Sequence, residues 1–462
     1  MTSSLQKDYY FIEATTSICD ECNKRVNAKI ILKNDKVFIF KRCKEHGEKE
    51  ELLEQDGEYY LARKKYDKPG TKCKTQTKID RGCPFDCGLC PDHEQHTCIG
   101  LIEITNKCDL GCPLCYAHSG DGDYLSLSKI EKMMDFYIDS EYGNAEILQI
   151  TGGEPTTHPQ IVQILQMANK KGFKYVMLNT NGIRLAKDEE FVAKIAEIFT
   201  KGFEVYLQFD SFDAQALKKI RGKDLIKIKQ QAIENLTKYN IPTTLVAVIE
   251  KGINENEIGE IVKFGLKEKI VRGINFQPVA YFGRVPRQKT LNRTTLTSVL
   301  NDIDVQTDGM IKRDDFIPLP CDVDRVAITY LKKEKDDNWR SVMRDIEIET
   351  YLPAIKNTMS FTMEEVAKDM VKPIFKCSGS GGCMKTMKEM SGIIDPKILL
   401  KPKSQRVKYV SENFFRITVT SFVDVYNFDI KSVKKDCVHI ITPDLKKIPF
   451  STYNMFYRKR YI

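Results

Sequence analysis

The residues best equipped for chemistry are Cys108, Cys112 and Cys115, in the run Cys-Asp-Leu-Gly-Cys-Pro-Leu-Cys. Their spacing lets three thiolates reach three irons of one 4Fe-4S cubane, because cluster irons favour cysteine sulfur. No fourth cysteine stands close by, so one iron is left open to an exogenous ligand. A structural zinc site is the competing reading, but such sites close on four ligands. Gly111 and Pro113 allow a tight loop. Leu101–Thr105 just upstream reads as a strand, which puts the loop where α/β barrels carry their chemistry.

Three further sets draw on the remaining thiols. Cys83, Cys87 and Cys90 repeat the same spacing, and Cys98 is the expected fourth ligand of a closed auxiliary 4Fe-4S cluster, with Cys73 as its competitor. Cys19, Cys22, Cys43 and His46 form two knuckles on a hairpin, a closed tetrahedral set for one mononuclear zinc or iron. Cys321, Cys377, Cys383 and Cys437 are left over, enough for a third 4Fe-4S cluster. His93 and His96 read as solvated in a polar loop.

The elements that must position these groups alternate in a β/α rhythm from residue 100 to 283. Strands are expected at 100–105, 146–150, 174–179, 203–208, 242–249 and 272–278, with amphipathic helices between them such as 130–138 and 161–167. The fold class is α/β: a partial (β/α)6 TIM-like barrel with right-handed crossovers. It carries an N-terminal metal-binding ribbon and a C-terminal Fe-S domain. The expected divisions are 1–60 ribbon, 61–99 auxiliary-cluster segment, 100–283 core, 284–365 connector or lid and 366–462 C-terminal cluster domain. Gly152, Gly153 and Glu154 follow the second strand, where paired glycines admit close approach and a carboxylate can accept from an ammonium. Asn181 and Asp210 close the third and fourth strands at the same rim, as ligand contacts or as helix caps. Phe422–Ile430 alternates like a strand. No residue is singled out as a general acid or base.

With 462 residues, 42% hydrophobic and 29% charged, the chain has room for two or three domains and a sizeable core. The net charge of +8 comes from dispersed lysines, without the aromatic and basic interleaving that base stacking needs, so no nucleic-acid partner is expected. No secretory or membrane-spanning run stands out, which points to the cytoplasm. Fifteen cysteines in a reducing compartment then argue for metal rather than disulfides. The aromatic, basic tail Tyr453–Ile462 suits either contact with a membrane surface or a strand packed on the domain edge.

CxxxCxxC after the first strand, Tyr116 beside its last cysteine and the Gly152-Gly153-Glu154-Pro155 element together resemble the radical S-adenosylmethionine (SAM) superfamily. The resemblance implies that the open iron holds SAM, that residues 152–154, Asn181 and Asp210 contact it, and that a low-potential ferredoxin or flavodoxin supplies electrons. The whole layout, from the CxxC…CxxHG ribbon to the Pro-Phe-x-x-Tyr-Asn tail, is similar to the tetraether lipid synthase and 7,8-dihydro-6-hydroxymethylpterin methyltransferase-like subfamily. It departs from that pattern at Asp436 and Ser451, where cysteines are expected. Coupling of lipid chains by C–C bond formation is the first expectation, C-methylation of a pterin or other small molecule the second. A non-catalytic Fe-S electron carrier is the third, though it leaves the glycine pair and the βα units unexplained.

Overall fold

The computed structural model describes residues 8–286, 292–336, 338–352, 355–359 and 396–461. The ribbon is a four-stranded antiparallel sheet in sequential order: β1 (Tyr10–Ile18), β2 (Arg25–Lys33), β3 (Lys36–Cys43) and β4 (Gly47–Glu54). The expected hairpin is its inner pair. It turns on Asn34 and Asp35, both at positive φ, a conformation that tight hairpins demand and that these two residue types tolerate.

Six parallel strands follow in sequence order: β5 (Ile99–Glu103), β6 (Ile147–Thr151), β7 (Tyr175–Thr180), β8 (Phe203–Gln208), β9 (Thr243–Ile249) and β10 (Val271–Pro278). Parallel neighbours need long crossovers, and helices such as Leu127–Ser140, Ile161–Lys171, Ile226–Lys238 and Ile258–Lys267 supply them. Beyond β10 come β11 (Ile317–Pro318), β12 (Val326–Lys333) and β13 (Trp339–Ser341), then β14 (Phe414–Thr420), β15 (Val438–Ile441) and β16 (Lys447–Pro449). β14 pairs parallel to β10 and β15 pairs parallel to β5. Both edges of the six-stranded core are therefore extended by the C-terminal stretch. β12 continues one side antiparallel to β14, and β16 ends the other beside β15.

Alternation along these strands separates two faces. Ile150, Leu178, Val205, Leu207, Leu245, Ala247, Ile274 and Phe276 pack beneath the helices in one large core. The opposite face is polar and internally bonded. Gln208 donates to Asn179 at 2.8 Å, Asn179 to Thr151 at 3.1 Å, Thr418 to Asn275 at 3.0 Å, and Arg416 pairs with Glu204 at 3.3 Å. The inner face of the open barrel is thus polar rather than a second apolar core.

Ribbon, first cysteine loop, barrel rim and residues 421–429 share one further apolar cluster, including Ile18, Leu114, Ile220, Val248, Tyr281, Val425 and Phe428. Ser17 Oγ donates to Phe428 O at 2.6 Å and Lys41 Nζ to Val425 O at 2.7 Å. The expected strand over 422–430 is absent. Asp424 Oδ1 accepts from the backbone N–H groups of Tyr426 and Asn427, and Asn427 Oδ1 accepts from Asp424 N. Local side-chain bonds of this kind compete with strand pairing. The tail is also different from either expectation. Residues 450–460 are helical, with Tyr453 and Tyr457 buried, so the rings expected at a membrane surface are used in packing. Among the described residues, no helix is long and apolar enough to cross a membrane.

Candidate active site and metal centres

Cys108, Cys112 and Cys115 lie on the loop after β5 and pack with Leu110, Leu225, Ile183 and Ile228. Burial pushes the Cys108 thiol up to about 12 and also raises Cys112. Burial thus favours the protonated form of these two thiols in the metal-free loop, and loading must displace their protons. Three neighbours fix the loop. Gly153 N donates to Thr105 O and Glu154 N to Lys107 O, both at 2.8 Å. A Cβ on Gly152 would stand 2.3 Å from Thr105 O, and one on Gly153 would stand 2.2 Å from Lys107 O. The paired glycines thus let the chain dock backbone to backbone on the approach to Cys108.

Glu154 is wired mainly into the protein. Its Oε1 accepts from Thr156 N, Thr156 Oγ1 and Thr180 Oγ1, and its Oε2 from Asn181 N. A carboxylate oxygen has two lone pairs, so Oε2 keeps room for one more donor. Asn181 donates through Nδ2 to Asp109 Oδ1 at 2.6 Å, joining the third strand's end to the cysteine loop. Asp210, placed by sequence as a ligand contact, instead forms a fully buried two-point pair with Arg221 at 2.6 Å and accepts from Val248 N at 3.0 Å. Arg221 also donates to Gln208 and lies close to Cys112.

Arg284 stands in a basic stretch with Arg287 and Arg293 and carries no sequence motif that marks it as a site residue. It clasps the loop: its N donates to Cys115 O at 2.9 Å, its Nε to Cys112 O at 3.0 Å, and a guanidinium N–H to Ser119 O. Gly283 permits this, since a Cβ there would stand 2.2 Å from Cys115 O. Arg293 forms a buried pair with Asp424 at 2.6 Å, while Arg287 lies outside the described residues. Arg221 carried no motif that would mark it from sequence; only its fold neighbours reveal it.

Cys83, Cys87 and Cys90 line one cavity with Asp86, Leu89, Asp92, His93, Val433, Lys434 and Pro449. Tyr457 closes it, accepting from Cys87 N and donating to Pro84 O, each at 3.0 Å. Cys98 does not join this set. It directly precedes β5 as Cys437 precedes β15, and the pairing of these strands sets the two cysteines side by side, with Cys98 N donating to Cys437 O at 2.8 Å. Cys98, Cys321 and Cys437 are fully buried, and their sulfurs lie within 4.8 Å of one another. His96 Nε2 is 3.6 Å from Cys98 Sγ. Against the upward push of burial, hydrogen bonds from Cys321, Cys437 and His96 carry the Cys98 thiol well below its ordinary value. Cys377 and Cys383, expected in the third set, lie outside the described residues.

Cys73, the competing ligand, is half-buried near Lys447 and Glu141. His93 and His96 are not merely solvated: His93 Nε2 meets His439 Nε2 at 3.1 Å, and His96 Nδ1 meets Gln95 Oε1 at 3.0 Å. Asp436 and Ser451, the departures from the subfamily pattern, are buried and in contact, Ser451 N facing Asp436 Oδ2 at 3.5 Å.

In the ribbon, Cys19, Cys22, Cys43 and His46 converge within 4.8 Å. His46 Nδ1 is 3.5 Å from both Cys19 and Cys43 sulfurs. Hydrogen bonds from the Glu45 backbone, then from His46, bring the Cys43 thiol down to about 6. A preformed three-thiol, one-imidazole set suits a single tetrahedral ion. The donors thus fit the implied groups: ribbon residues for one ion, and two thiolate loops and a buried triad for Fe-S centres.

Two family models match this chain: the radical SAM superfamily over residues 102–265 and the HMPTM N-terminal zinc ribbon domain over residues 11–55. A 7,8-dihydro-6-hydroxymethylpterin dimethyltransferase of Methanocaldococcus jannaschii is 33% identical over 96% of this chain and 94% of its own. A GTP 3′,8-cyclase of Rhizobium etli is 25% identical over 45% of this chain and 62% of its own. Streptococcus suis SuiB bound to the precursor peptide SuiA is a more distant structural match, with TM-score 0.39, 19% identity and 48% of each chain covered. The chain belongs to the radical SAM superfamily, enzymes that generate a 5′-deoxyadenosyl radical from SAM, and within it to the family of the Methanocaldococcus jannaschii pterin dimethyltransferase.

Proposed function

We propose that this enzyme C-methylates a reduced pterin of the 7,8-dihydro-6-hydroxymethylpterin type. The observation that carries the reading is likeness along nearly the whole of both chains to a relative named for that reaction. It takes precedence over lipid coupling, the first expectation from sequence. The polar inner face of the barrel suits a heteroaromatic ring bearing donors and acceptors better than an alkyl chain. When bound at the first loop, the cluster and SAM supply the radical that activates a C–H bond. The protein's own residues have other tasks. Residues 152–154 and Arg284 hold the loop, Asn181 ties it to the third strand through Asp109, and Asp210 aims Arg221 toward Cys112. A small low-potential iron–sulfur or flavin protein is the proposed electron donor.

Anaerobically reconstituted protein, given SAM, a low-potential reductant, a one-carbon donor and 7,8-dihydro-6-hydroxymethylpterin, should yield pterin with one or two added methyl groups by mass spectrometry. Unchanged pterin alongside coupled lipid chains in a parallel incubation would reverse the ranking.

A further inference from the structure

Glu250 follows β9 directly, continuing the inner-face series Thr244, Val246, Val248 toward the rim. It is 5% exposed, and its Oε2 is buried without a hydrogen-bond partner among the described residues. Unsatisfied buried carboxylate oxygens are costly and uncommon. Its surroundings place it at the inner rim of the barrel, beside the loop that carries Cys115. Glu250 raises the phenols of Tyr116 and Tyr281, after their own burial, and so lies within electrostatic reach of both. Tyr116 adjoins the cluster ligand Cys115 and accepts from Ala280 N at 2.9 Å. Tyr281 meets Tyr426 edge to face at 5.7 Å, and the Arg293 guanidinium lies 5.2 Å from the Tyr281 ring centre.

Arg293 does not neutralise Glu250 by direct pairing, because its guanidinium is committed to Asp424. Burial therefore pushes the Glu250 carboxyl up to about 7, with Arg293 opposing and Glu255 adding to the shift. Asn254 accepts from the Glu250 backbone and donates to Asp210 O and Val248 O, so the turn carrying Glu250 is braced on the strand that holds Arg221's partner.

A carboxylate with a free oxygen, beside aromatic rings and next to a cluster loop, matches one part of a pterin. The 2-amino group and N3–H of a 2-amino-4-oxopyrimidine present two parallel donors, which a carboxylate accepts in a two-point bond. Rings of Tyr281 and Tyr426 offer faces and edges for the fused heterocycle. We propose that Glu250 anchors the 2-amino/N3–H edge of the pterin and sets the enzyme's preference for 2-amino-4-oxopteridines. This rests on the pterin reading above.

The test uses reconstituted full-length protein and equilibrium binding of 7,8-dihydro-6-hydroxymethylpterin and its 2-desamino analogue. The wild type should prefer the amino form by about a hundredfold. Glu250→Gln and Glu250→Ala should lose most of that preference, with unchanged iron content and circular dichroism showing that each is folded. The preference is the decisive readout, since a merely structural role would weaken both ligands alike. A wild type that binds neither pteridine overturns the functional reading, and this proposal with it. A wild type that discriminates normally, with Glu250→Gln discriminating equally, overturns only the assignment of Glu250.

Discussion

The two Cys-x3-Cys-x2-Cys loops share one spacing, yet the molecule treats them differently. The loop after β5 is held by polar neighbours from the barrel rim: Asp109 by Asn181, the carbonyls of Cys112 and Cys115 by Arg284, and its approach by the glycine pair. The loop before β5 is held by the C-terminal stretch, through Tyr457, Val433, Lys434 and Pro449. Spacing alone therefore says that a cluster can be held. Whether a loop faces a ligand chamber or a packed tail decides what the cluster can do.

The largest effect should come from the rim loop. Cys112→Ala should abolish 5′-deoxyadenosine formation from SAM, while Cys87→Ala should retain it and lose methyl transfer, both followed by liquid chromatography of one reaction. Equal loss of 5′-deoxyadenosine in both would erase the distinction between the loops. A sharper version concerns Cys98. Changing Cys98, Cys321 or Cys437 to Ala, singly or together, should remove the same iron, because the three serve one site. Cys87→Ala should remove a separate share that adds to it. Additive losses for Cys98 and Cys437 would return Cys98 to the second loop.

Next in size is the pair behind the rim. Asp210→Asn leaves Arg221 buried without its counter-charge, and breaking a buried pair costs about 3–5 kcal/mol, measurable by denaturant unfolding. The matching variant near the second loop, Asp92→Asn, meets Lys434 at 3.7 Å with its side chain 41% exposed, and should cost about 0–1 kcal/mol.

A pH series tests the chamber beside the first loop. Burial raises Glu51 and Glu250 to about 7, against an ordinary value of 4.5. Between these values the folded protein binds protons that the unfolded chain has released, so stability falls as pH rises from about 4.5 to 7 and levels above. These two groups should contribute that course to the melting temperature alongside other carboxyls that burial raises, such as Asp436 at about 6. The double variant Glu51→Gln, Glu250→Gln should make the fall shallower. A profile of the same slope in the variant would place the titration elsewhere.

Much of this was legible in the sequence. The six strands were, because short apolar runs recur between amphipathic helical stretches from β5 to β10; so was the ribbon's ligand set, because both knuckles are local. What was hidden depends on distant pairing. Cys98 is close in sequence to Cys90, but β5 lies against β15, and that contact is made by residues far apart in the chain. β14 escaped notice, and the apparent strand at 422–430 misled, because Asp424 and Asn427 satisfy their own backbone. Arg221 and Arg284 act through the fold alone, and their neighbours in sequence give no sign of it.

The last test concerns the clasp of the second loop. Tyr457 bridges Cys87 N and Pro84 O through one hydroxyl, so Tyr457→Phe keeps the ring packing but leaves a buried donor and acceptor unpaired. Such losses cost about 1–3 kcal/mol. Among the described residues the rim loop has no tyrosine of this kind, and its clasp Arg284 carries three bonds. Tyr457→Phe should therefore lower the melting temperature modestly and shift the reduction potential of the second cluster alone, because hydrogen bonding around the thiolates tunes each centre separately. Spectroelectrochemical titration would resolve the two centres. A shift in the SAM-binding centre of equal size would show that the loops are electronically or structurally coupled, and that the difference in their surroundings does not separate their roles.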